Sequence, residues 1–415
     1  MKRLGVGLAT VTSGKKRPVG GVPFPTVTGT SYLIFGTAPW DSPWLTEQNL
    51  AHALSRENRV MYVEPPLTPL APLRYGLRPE TRAQARLLLR RWPRRAEQVE
   101  VFQPLVLPPR SNPAARQVSA PLLRRQVAWA VARSGLREPV VVSAHATPGA
   151  FDAVAASCRV YLVKDWTEAG AELLGRPAEA LAAERDAMCK TADVVCAISA
   201  ELQTALGERG VSAKVLRHGF QADLAPRYDA ARLPAALEDM PRPLIGYAGR
   251  IDGRLDFTAL AAVAERFRRG TVLLVGPVSP RLDPGELRRL SSRDNVRLLG
   301  PLGREALPGY LAHLDCAVMP YREGEWARHG SPLKLWDYLY AGPPIVGSGY
   351  SVLREYPPPL VRYASGPEGF ASEVERALAE PERGRDERRS MALDNSWDAR
   401  AAELQGIVRD ARRDR

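Results

Sequence analysis

The chain has few cysteines and no long apolar run. Its 415 residues include four cysteines, which show no C-x-x-C spacing and fall in apolar or helical stretches. This pattern disfavours both a disulfide framework and a cysteine-bound metal, and it predicts reduced thiols in the core of a cytoplasmic protein. The longest apolar runs are only as long as a strand, and the N-terminus lacks the compact apolar region of a signal peptide. We therefore expect a protein that stays inside the cell without crossing a membrane.

Composition and length indicate a globular protein with more than one domain. Apolar residues make up 45% of the chain and charged residues 25%, which are ordinary shares for a folded protein. A length of 415 residues exceeds what a single hydrophobic core usually serves, so two domains are expected. The positive charge is uneven, because residues 1–225 carry a net charge of +10 and residues 226–415 carry +2. This excess in the first half is the clearest clue to a binding partner.

Arginines are concentrated in the segment from Arg74 to Arg95. Three consecutive leucines and Trp92 lie among them. A basic amphipathic segment with a tryptophan is typical of a membrane-surface element attracted to anionic lipid head groups. A solvated arginine-rich helix accounts for the same pattern, so both interpretations stay open. Nucleic acid is disfavoured as a partner, because no aromatic platform or groove-reading motif accompanies the charge.

Apolar runs alternate with helical patterns along most of the chain. SYLIF, RVMYV, VVVS and CRVYLV have the composition of strands separated by helix-length segments, and a second series of this kind begins at Leu244. The sequence therefore predicts an α/β protein of two Rossmann-like, doubly wound domains with parallel sheets. The expected layout is a loose tail at 1–30, a first domain at 31–225, a linker at 226–243, a second domain at 244–378 and a helical tail at 379–415.

The stretch 315–348 carries the strongest functional signal. AVMP and PPIVGS have the composition of two buried strands, and SPLKLWDYLYAG between them has the punctuation of a helix. Ser331 is expected to cap this helix, with Pro332 in its first position. In a βαβ unit such a helix start lies at the C-terminal edge of the sheet, where unpaired N–H groups favour a diphosphate. Lys334 and Asp337 fall on one helix face and suit phosphate oxygens and ribose hydroxyls, although an ordinary buried helix with solvated charges stays the alternative.

Two glycine-rich turns precede that stretch. LIGYAGRIDGRLD is a strand that runs into a turn containing Gly249, Arg250 and Arg254, and VLLVGPVSP ends a second strand at Gly276. Cations at these turns would neutralise a bound diphosphate, which leaves little need of a divalent metal. Arg250 could equally pair with a neighbouring aspartate.

In wording and order these three segments resemble the donor domain of group 1 glycosyltransferases with the GT-B fold, nearest to the cell-surface polysaccharide and teichuronic acid branch. The resemblance is specific over residues 243–350 and implies two domains facing across a cleft, with the terminal helix crossing back onto the first. It also implies a nucleotide-diphosphate sugar as donor substrate, no cofactor and no metal. In this family a carboxylate at the position of Asp337 holds the ribose, Arg254 and Asp256 match an R-x-D element, and His329 stands where Glu is usual. The implied donor-binding residues are Gly249, Arg250, Arg254, Gly276, His329, Gly330, Ser331, Lys334 and Asp337.

Catalytic groups are expected at strand ends of the first domain, which face the crevice in an open α/β sheet. His145 and Asp165 follow two such strands and could act as a base if the reaction inverts the sugar. If it retains configuration, as the resemblance implies, the leaving phosphate takes the proton and no protein base is needed. The expected activity is hexosyl transfer to an envelope glycan, a lipid-linked acceptor or another acceptor. A sugar-nucleotide epimerase and a non-catalytic partner subunit of the same fold stay as alternatives.

Overall fold

The computed structural model describes residues 29–67, 93–106, 113–147, 149–380 and 382–414. Most of the predicted tail at 1–30 and most of the basic segment, residues 74–92, lie outside the described residues. The last arginines of that segment, Arg94 and Arg95, belong to a short edge strand.

The first sheet has eight described strands made largely of β-branched and apolar residues. Its spatial order is β3-β4-β2-β1-β5-β6-β7-β8, and all neighbours are parallel except β3 and β4. Such strands are buried on both faces because helices cover the sheet from both sides. The strands are β1 Ser31–Phe35, β2 Arg59–Val63, β3 Arg94–Ala96, β4 Val99–Phe102, β5 Val140–Ser143, β6 Cys158–Val163, β7 Val194–Ala197 and β8 Ala213–Val215.

Helices cover both faces of this sheet. They are α1 Thr46–Leu54, α2 Pro113–Ser134, α3 Ala171–Leu174, α4 Ala178–Thr191 and α5 Ala200–Gly207, with a 3-10 turn at Thr167–Gly170. Leu123, Val127 and Val131 of α2 pack into the core on one face, together with Leu33 and Val141 of the strands. Leu50 of α1 belongs to the core on the opposite face.

The second sheet has six described strands, all parallel, in the order β11-β10-β9-β12-β13-β14. The strands are β9 Leu244–Ala248, β10 Thr271–Val275, β11 Val296–Gly300, β12 Cys316–Met319, β13 Ile345–Gly347 and β14 Arg362–Tyr363. Two short helices lie in the predicted linker and the others belong to this sheet: α6 Ala225–Asp229, α7 Ala235–Glu238, α8 Phe257–Arg266, α9 Pro284–Ser291, α10 Leu307–Leu311, α11 Glu325–His329, α12 Lys334–Ala341 and α13 Pro367–Ala379. Tyr228 and Leu237 of the linker helices are buried in the second core.

The C-terminal tail joins the two domains. Helix α14, Arg385–Asp394, packs beside α12, and its buried Arg388 donates to the carbonyl oxygen of Gly342 at 2.7 Å. Helix α15, Trp397–Arg413, then lies on the first domain, where Trp397 and Leu404 enter the same core as Leu50. In the described ranges, none of the helices combines the length and apolarity needed to cross a membrane.

Both sheets direct the C-terminal ends of their strands toward a shared cleft. The domains touch there: the Ser199 hydroxyl donates to the carbonyl oxygen of His329 at 2.7 Å, and both groups are buried. Trp326 of α11 packs directly on Gly170, where an added Cβ would lie 2.1 Å from the indole ring. The cleft-facing loops of the two domains are therefore in direct contact.

Candidate functional site

Two glycine turns form the floor of the site in the second domain. Gly249 and Gly276 have φ values of +147° and +141°, a region that L side chains rarely adopt. A Cβ on Gly276 would lie 2.0 Å from the carbonyl oxygen of Gly249, and a Cβ on Gly249 would lie 2.4 Å from the ammonium nitrogen of Lys334. Both positions therefore require glycine, and Gly249 leaves the space that the lysine side chain occupies.

Lys334 is the first residue of α12, and its side chain enters a cage of tyrosines above those turns. The ammonium donates to the Tyr321 hydroxyl at 2.5 Å and lies 3.8 Å from the centre of the Tyr247 ring. Burial lowers the pKa of Lys334 well below its usual value, and the nearby charge of Arg254 lowers it further. An anion placed here would reverse both effects, because it would compensate the buried positive charge.

Arg254 reaches the same place but is held by Asp252. Its guanidinium donates to the carboxylate, with Nη2 at 2.7 Å from Oδ2 and Nε at 3.0 Å from Oδ1. Arg250 was expected to pair with a neighbouring aspartate as readily as to bind a ligand. In the structure Arg254 pairs with Asp252, and Arg250 is exposed. Asp256 caps helix α8 by accepting from the amide nitrogen of Thr258 at 2.9 Å.

The prediction that Ser331 caps helix α12 is wrong. Helix α12 begins at Lys334, its N-cap residue is Leu333, and no side chain caps it. The amide of Leu335 donates to the Pro332 carbonyl oxygen at 3.1 Å, so a tight turn precedes the helix and moves its start three residues beyond Ser331. Gly330 lies before this turn against Tyr350, and a Cβ there would be 2.7 Å from the tyrosine ring.

Asp337 lies one turn further along α12 in a small interdomain cavity. One carboxylate oxygen accepts from the Tyr228 hydroxyl at 3.2 Å. Burial raises the pKa of Asp337 to about 6, against the opposing effects of the Tyr228 hydrogen bond and the Arg304 charge. The cavity has a volume of about 140 Å³, and Leu302 and Trp44 also line it. Ligand pockets usually measure roughly 300–1,000 Å³, so this cavity must widen to hold a nucleoside.

Trp44 and Arg304 close this cavity from opposite domains. The guanidinium carbon of Arg304 lies 3.7 Å from the centre of the Trp44 ring. Trp44 is oriented by its indole N–H, which donates to the carbonyl oxygen of Trp40 at 3.1 Å. Burial lowers the pKa of Arg304. Trp44 precedes α1 of the first domain, and Arg304 follows β11 of the second. Separating these two side chains is therefore the direct way to enlarge the cavity.

His329 does not share a cavity with Asp337. Its ring stacks at 5.0 Å on Trp166 of the first domain, and its Nδ1 lies 2.9 Å from the Glu325 carbonyl oxygen. It lines a separate groove of about 780 Å³ together with Arg209 and Glu201. The histidine thus occupies the family's glutamate position in sequence but contacts the first domain.

The first domain contributes a buried ion pair that the sequence did not indicate as a site. Lys164, which follows β6, donates to Glu47 at 2.6 Å, and the Thr37 hydroxyl donates to the same oxygen at 2.8 Å. Burial opposes ionisation of Glu47, but the charge and hydrogen bond of Lys164 lower its pKa below the usual value. The only sequence signal was an acidic residue in the first turn of the helix after β1.

The two predicted catalytic residues follow adjacent strands, β5 and β6. Burial raises the pKa of Asp165, while the charges of Lys164 and Arg254 oppose this rise. The His145 ring contacts the Thr147 hydroxyl, with Nε2 at 3.1 Å. The buried His218 contacts the Thr46 hydroxyl at 3.2 Å, and burial lowers its pKa to about 3, so this side chain is neutral near pH 7.

Comparisons with known proteins agree with this geometry. The family model for glycosyl transferases group 1 matches residues 242–380. TuaH of Bacillus subtilis (strain 168), named as a teichuronic acid biosynthesis glycosyltransferase, is 31% identical over 161 residues, which are 37% of this chain and 40% of TuaH. The chain thus aligns with less than half the length of this curated relative.

Solved structures match almost the whole chain. Sucrose-phosphate synthase from Thermosynechococcus elongatus superposes with a TM-score of 0.67 at 15% identity, covering 92% of this chain and 99% of its own. HepE from Anabaena, solved with UDP and glucose, gives a TM-score of 0.65 at 14% identity over 92% and 100%. At these identities the likeness concerns the fold. The prediction of the GT-B fold is confirmed, and the group 1 glycosyl transferase family matches residues 242–380.

Proposed function

We propose that this chain, whose residues 242–380 belong to the glycosyl transferases of group 1, moves a hexose from a nucleotide-diphosphate donor to an acceptor in cell-envelope glycan synthesis. The observation that carries this proposal is the arrangement on α12. Lys334 emerges beside two glycine turns, and Asp337 emerges one turn later into a closed cavity. A buried cation and a buried carboxylate at this spacing suit a diphosphate and the ribose attached to it.

The donor is assigned to the second domain residue by residue. The diphosphate lies at Lys334 and Arg254, over the close approach of Gly249 and Gly276. The ribose hydroxyls donate to Asp337, and the base occupies the cavity that widens when the Trp44 stack opens. HepE has been solved with UDP and with UDP-glucose, which supports a nucleotide sugar as the donor class.

The proposed reaction breaks the bond between the sugar C1 and the diphosphate oxygen and forms a bond from C1 to an acceptor hydroxyl oxygen. Negative charge grows on the leaving diphosphate, where fixed cations stabilise the transition state more than the ground state. With retention of configuration, the acceptor proton passes to the leaving phosphate oxygen, and the products are a nucleoside diphosphate and a glycoside. Lys334 and Arg254 supply the positive charge, so we propose that no divalent metal is required.

The acceptor is assigned to the first domain. Lys164 and Asp165 directly follow β6, and Lys164 pairs with Glu47, so these side chains are the proposed contacts for acceptor hydroxyls. The name of TuaH supports an envelope polysaccharide as the acceptor class. We also propose that the chain acts at the inner membrane surface, with the basic residues 74–95 attracting anionic lipid.

A thermal-shift series tests the donor assignment. The full chain is heated with UDP, GDP, ADP, CDP and dTDP, because a ligand at about 100 times its dissociation constant stabilises a protein by roughly 2.7 kcal/mol. We expect one base to be preferred and the shift to fall in the Asp337→Asn variant. A chain that responds to none of the five diphosphates would refute the proposal. Incubation with the corresponding nucleotide sugar, without an acceptor, distinguishes the proposed transferase from the epimerase alternative. Only an epimerase would convert the nucleotide sugar into its epimer.

A further inference from the structure

The outward face of α2 is unusual for a helix that lies on a globular protein. Residues 113–134 contain no aspartate or glutamate, and the helix has arginine in the last turn and no acid in the first. Trp129 is 51% exposed, the largest value among the exposed large hydrophobic residues of the described part of the chain. The exposed residues of this face are Pro121, Arg124, Arg125, Trp129, Ala132 and Arg133.

Helical spacing gives this face a defined pattern. At about 100° per residue, Arg124 and Arg133 lie at the two borders of the exposed arc. Between them are Pro121, Ala132 and Trp129, with Arg125 among them. The outer face of a helix in a soluble domain is normally polar and of mixed charge. Arg125 lies near the middle of the arc beside the apolar side chains, so this face combines three cations with an exposed indole and has no acid, which suits the surface of an anionic lipid bilayer.

The charges of this face are available for a partner. Arg124, Arg125 and Arg133 form no salt bridge with any carboxylate in the described ranges. Trp129 is held in place by Phe102, with ring centres 6.3 Å apart, and by the Arg133 guanidinium 5.9 Å from its ring. An indole fixed beside unpaired guanidinium groups complements anionic head groups above an apolar layer.

The position of α2 connects this face to the cleft. Arg124 lies beside the loop after β5, because a Cβ added to Gly149 would be 2.9 Å from its Nε. The same loop carries His145. The side chain of Gln126 of α2 also hydrogen-bonds both backbone groups of Leu105, at 3.0 and 2.7 Å, and Leu105 forms a β-bridge with Leu67. The N-terminal half of the face therefore lies at the edge of the acceptor side.

We propose that the outer face of α2 docks on an anionic phospholipid surface, through Arg124, Arg125, Arg133 and the indole of Trp129. Docking in this way turns the edge of the first domain toward the lipid, so that a lipid-linked acceptor reaches the strand ends directly. This last consequence rests on the proposed function, whereas the lipid contact itself does not. The residues of this face are distinct in sequence from the basic residues 74–95.

Vesicle co-sedimentation of the full chain tests this proposal. The probes are vesicles of phosphatidylcholine with about one-third phosphatidylglycerol and vesicles of phosphatidylcholine alone, at about 0.05 M and 0.5 M salt. We expect wild-type binding to the anionic vesicles only, with strong weakening at the higher salt. The test variant combines Arg124→Gln, Arg125→Gln and Arg133→Gln, and the matched control removes three exposed arginines of the second domain by Arg269→Gln, Arg288→Gln and Arg289→Gln.

The two variants have the same net charge, so they separate a local contact from general charge attraction. We expect the α2 variant to bind at least tenfold more weakly than the control, and Trp129→Gln to bind severalfold more weakly. Equal binding of the α2 variant and the control would overturn the proposal, as would wild-type binding that is absent or equally strong on neutral vesicles. Unfolding temperature and the nucleotide shift are measured on each variant. An unchanged nucleotide shift beside lost vesicle binding separates this proposal from the donor assignment.

Discussion

Asp337 should make the empty protein less stable while it makes nucleotide binding stronger. Its pKa is raised by burial to about 6 from the ordinary value of 3.8. A difference of about 2 units corresponds to ~3 kcal/mol. Because the folded-state pKa is the higher one, the folded protein binds more protons between the two values, and stability falls as pH rises from 4 to 6. Above pH 6 the full cost of the buried carboxylate remains.

The change Asp337→Asn removes this cost and keeps a side-chain oxygen that can accept from Tyr228. We expect the nucleotide-free variant to exceed the wild type in unfolding free energy by up to ~3 kcal/mol at pH 8 and by only ~1 kcal/mol at pH 4.5. The measurement is denaturant unfolding monitored by circular dichroism at both pH values. Asp294→Asn, an exposed change in the same domain, is the control and should leave stability nearly unchanged at both.

The same variant should bind its nucleoside diphosphate about tenfold more weakly or worse, because a hydrogen bond to a charged group contributes roughly 1.5–3 kcal/mol. Calorimetric titration at pH 8 measures this. The reasoning is refuted if the variant is no more stable than the wild type at pH 8, or if its advantage is the same at both pH values. Unchanged nucleotide affinity in a folded variant would remove Asp337 from the donor site.

Four further outcomes are expected. The nucleotide-induced thermal shift should persist in excess chelator, because Lys334 supplies positive charge for the diphosphate. A shift that is lost with chelator and restored by magnesium would contradict this. Gly249→Ala should weaken calorimetric nucleotide affinity at least tenfold, since its Cβ would lie 2.4 Å from the lysine nitrogen; an unchanged affinity would contradict the shared site. Trp44→Ala should speed nucleotide association severalfold in stopped-flow mixing, because the Arg304 stack no longer closes the cavity, and an unchanged rate would count against closure. Glu47→Gln should lower transfer to an acceptor tenfold or more with nucleotide affinity retained, and equal losses of both would place Glu47 outside the acceptor site.

Local sequence patterns predicted which strands and helices form the second domain better than they predicted where each begins. The alternation of apolar runs with a capped helical pattern identified the strands β12 and β13 and the helix between them, because these signals are contained in a few neighbouring residues. The start of α12 was predicted two residues too early. Ser331 and Pro332 have the composition of a cap, but the helix begins after Leu333, which packs against the core of the first domain, a contact that no local pattern contains.

Long-range pairs were not predictable for a related reason. Lys164 and Glu47 are 117 positions apart, and their contact depends on which strands are neighbours in the first sheet. The choice of Arg254 rather than Arg250 as the partner of Asp252 depends on the path of a glycine turn. The order of apolar runs and charged residues predicts that such charges lie at strand ends. Which of them form ion pairs is determined by the folded chain.

Burial of two charged side chains in the proposed donor site carries costs that a bound nucleotide would remove together. Lys334 is a buried cation whose pKa is lowered by burial and by Arg254, and Asp337 is a buried carboxylate whose pKa is raised by burial. A diphosphate favours the charged form of the lysine, and ribose hydroxyls that donate to the carboxylate favour its charged form. Binding a nucleoside diphosphate thus offsets both burial costs at once, because it raises the pKa of Lys334 and lowers the pKa of Asp337.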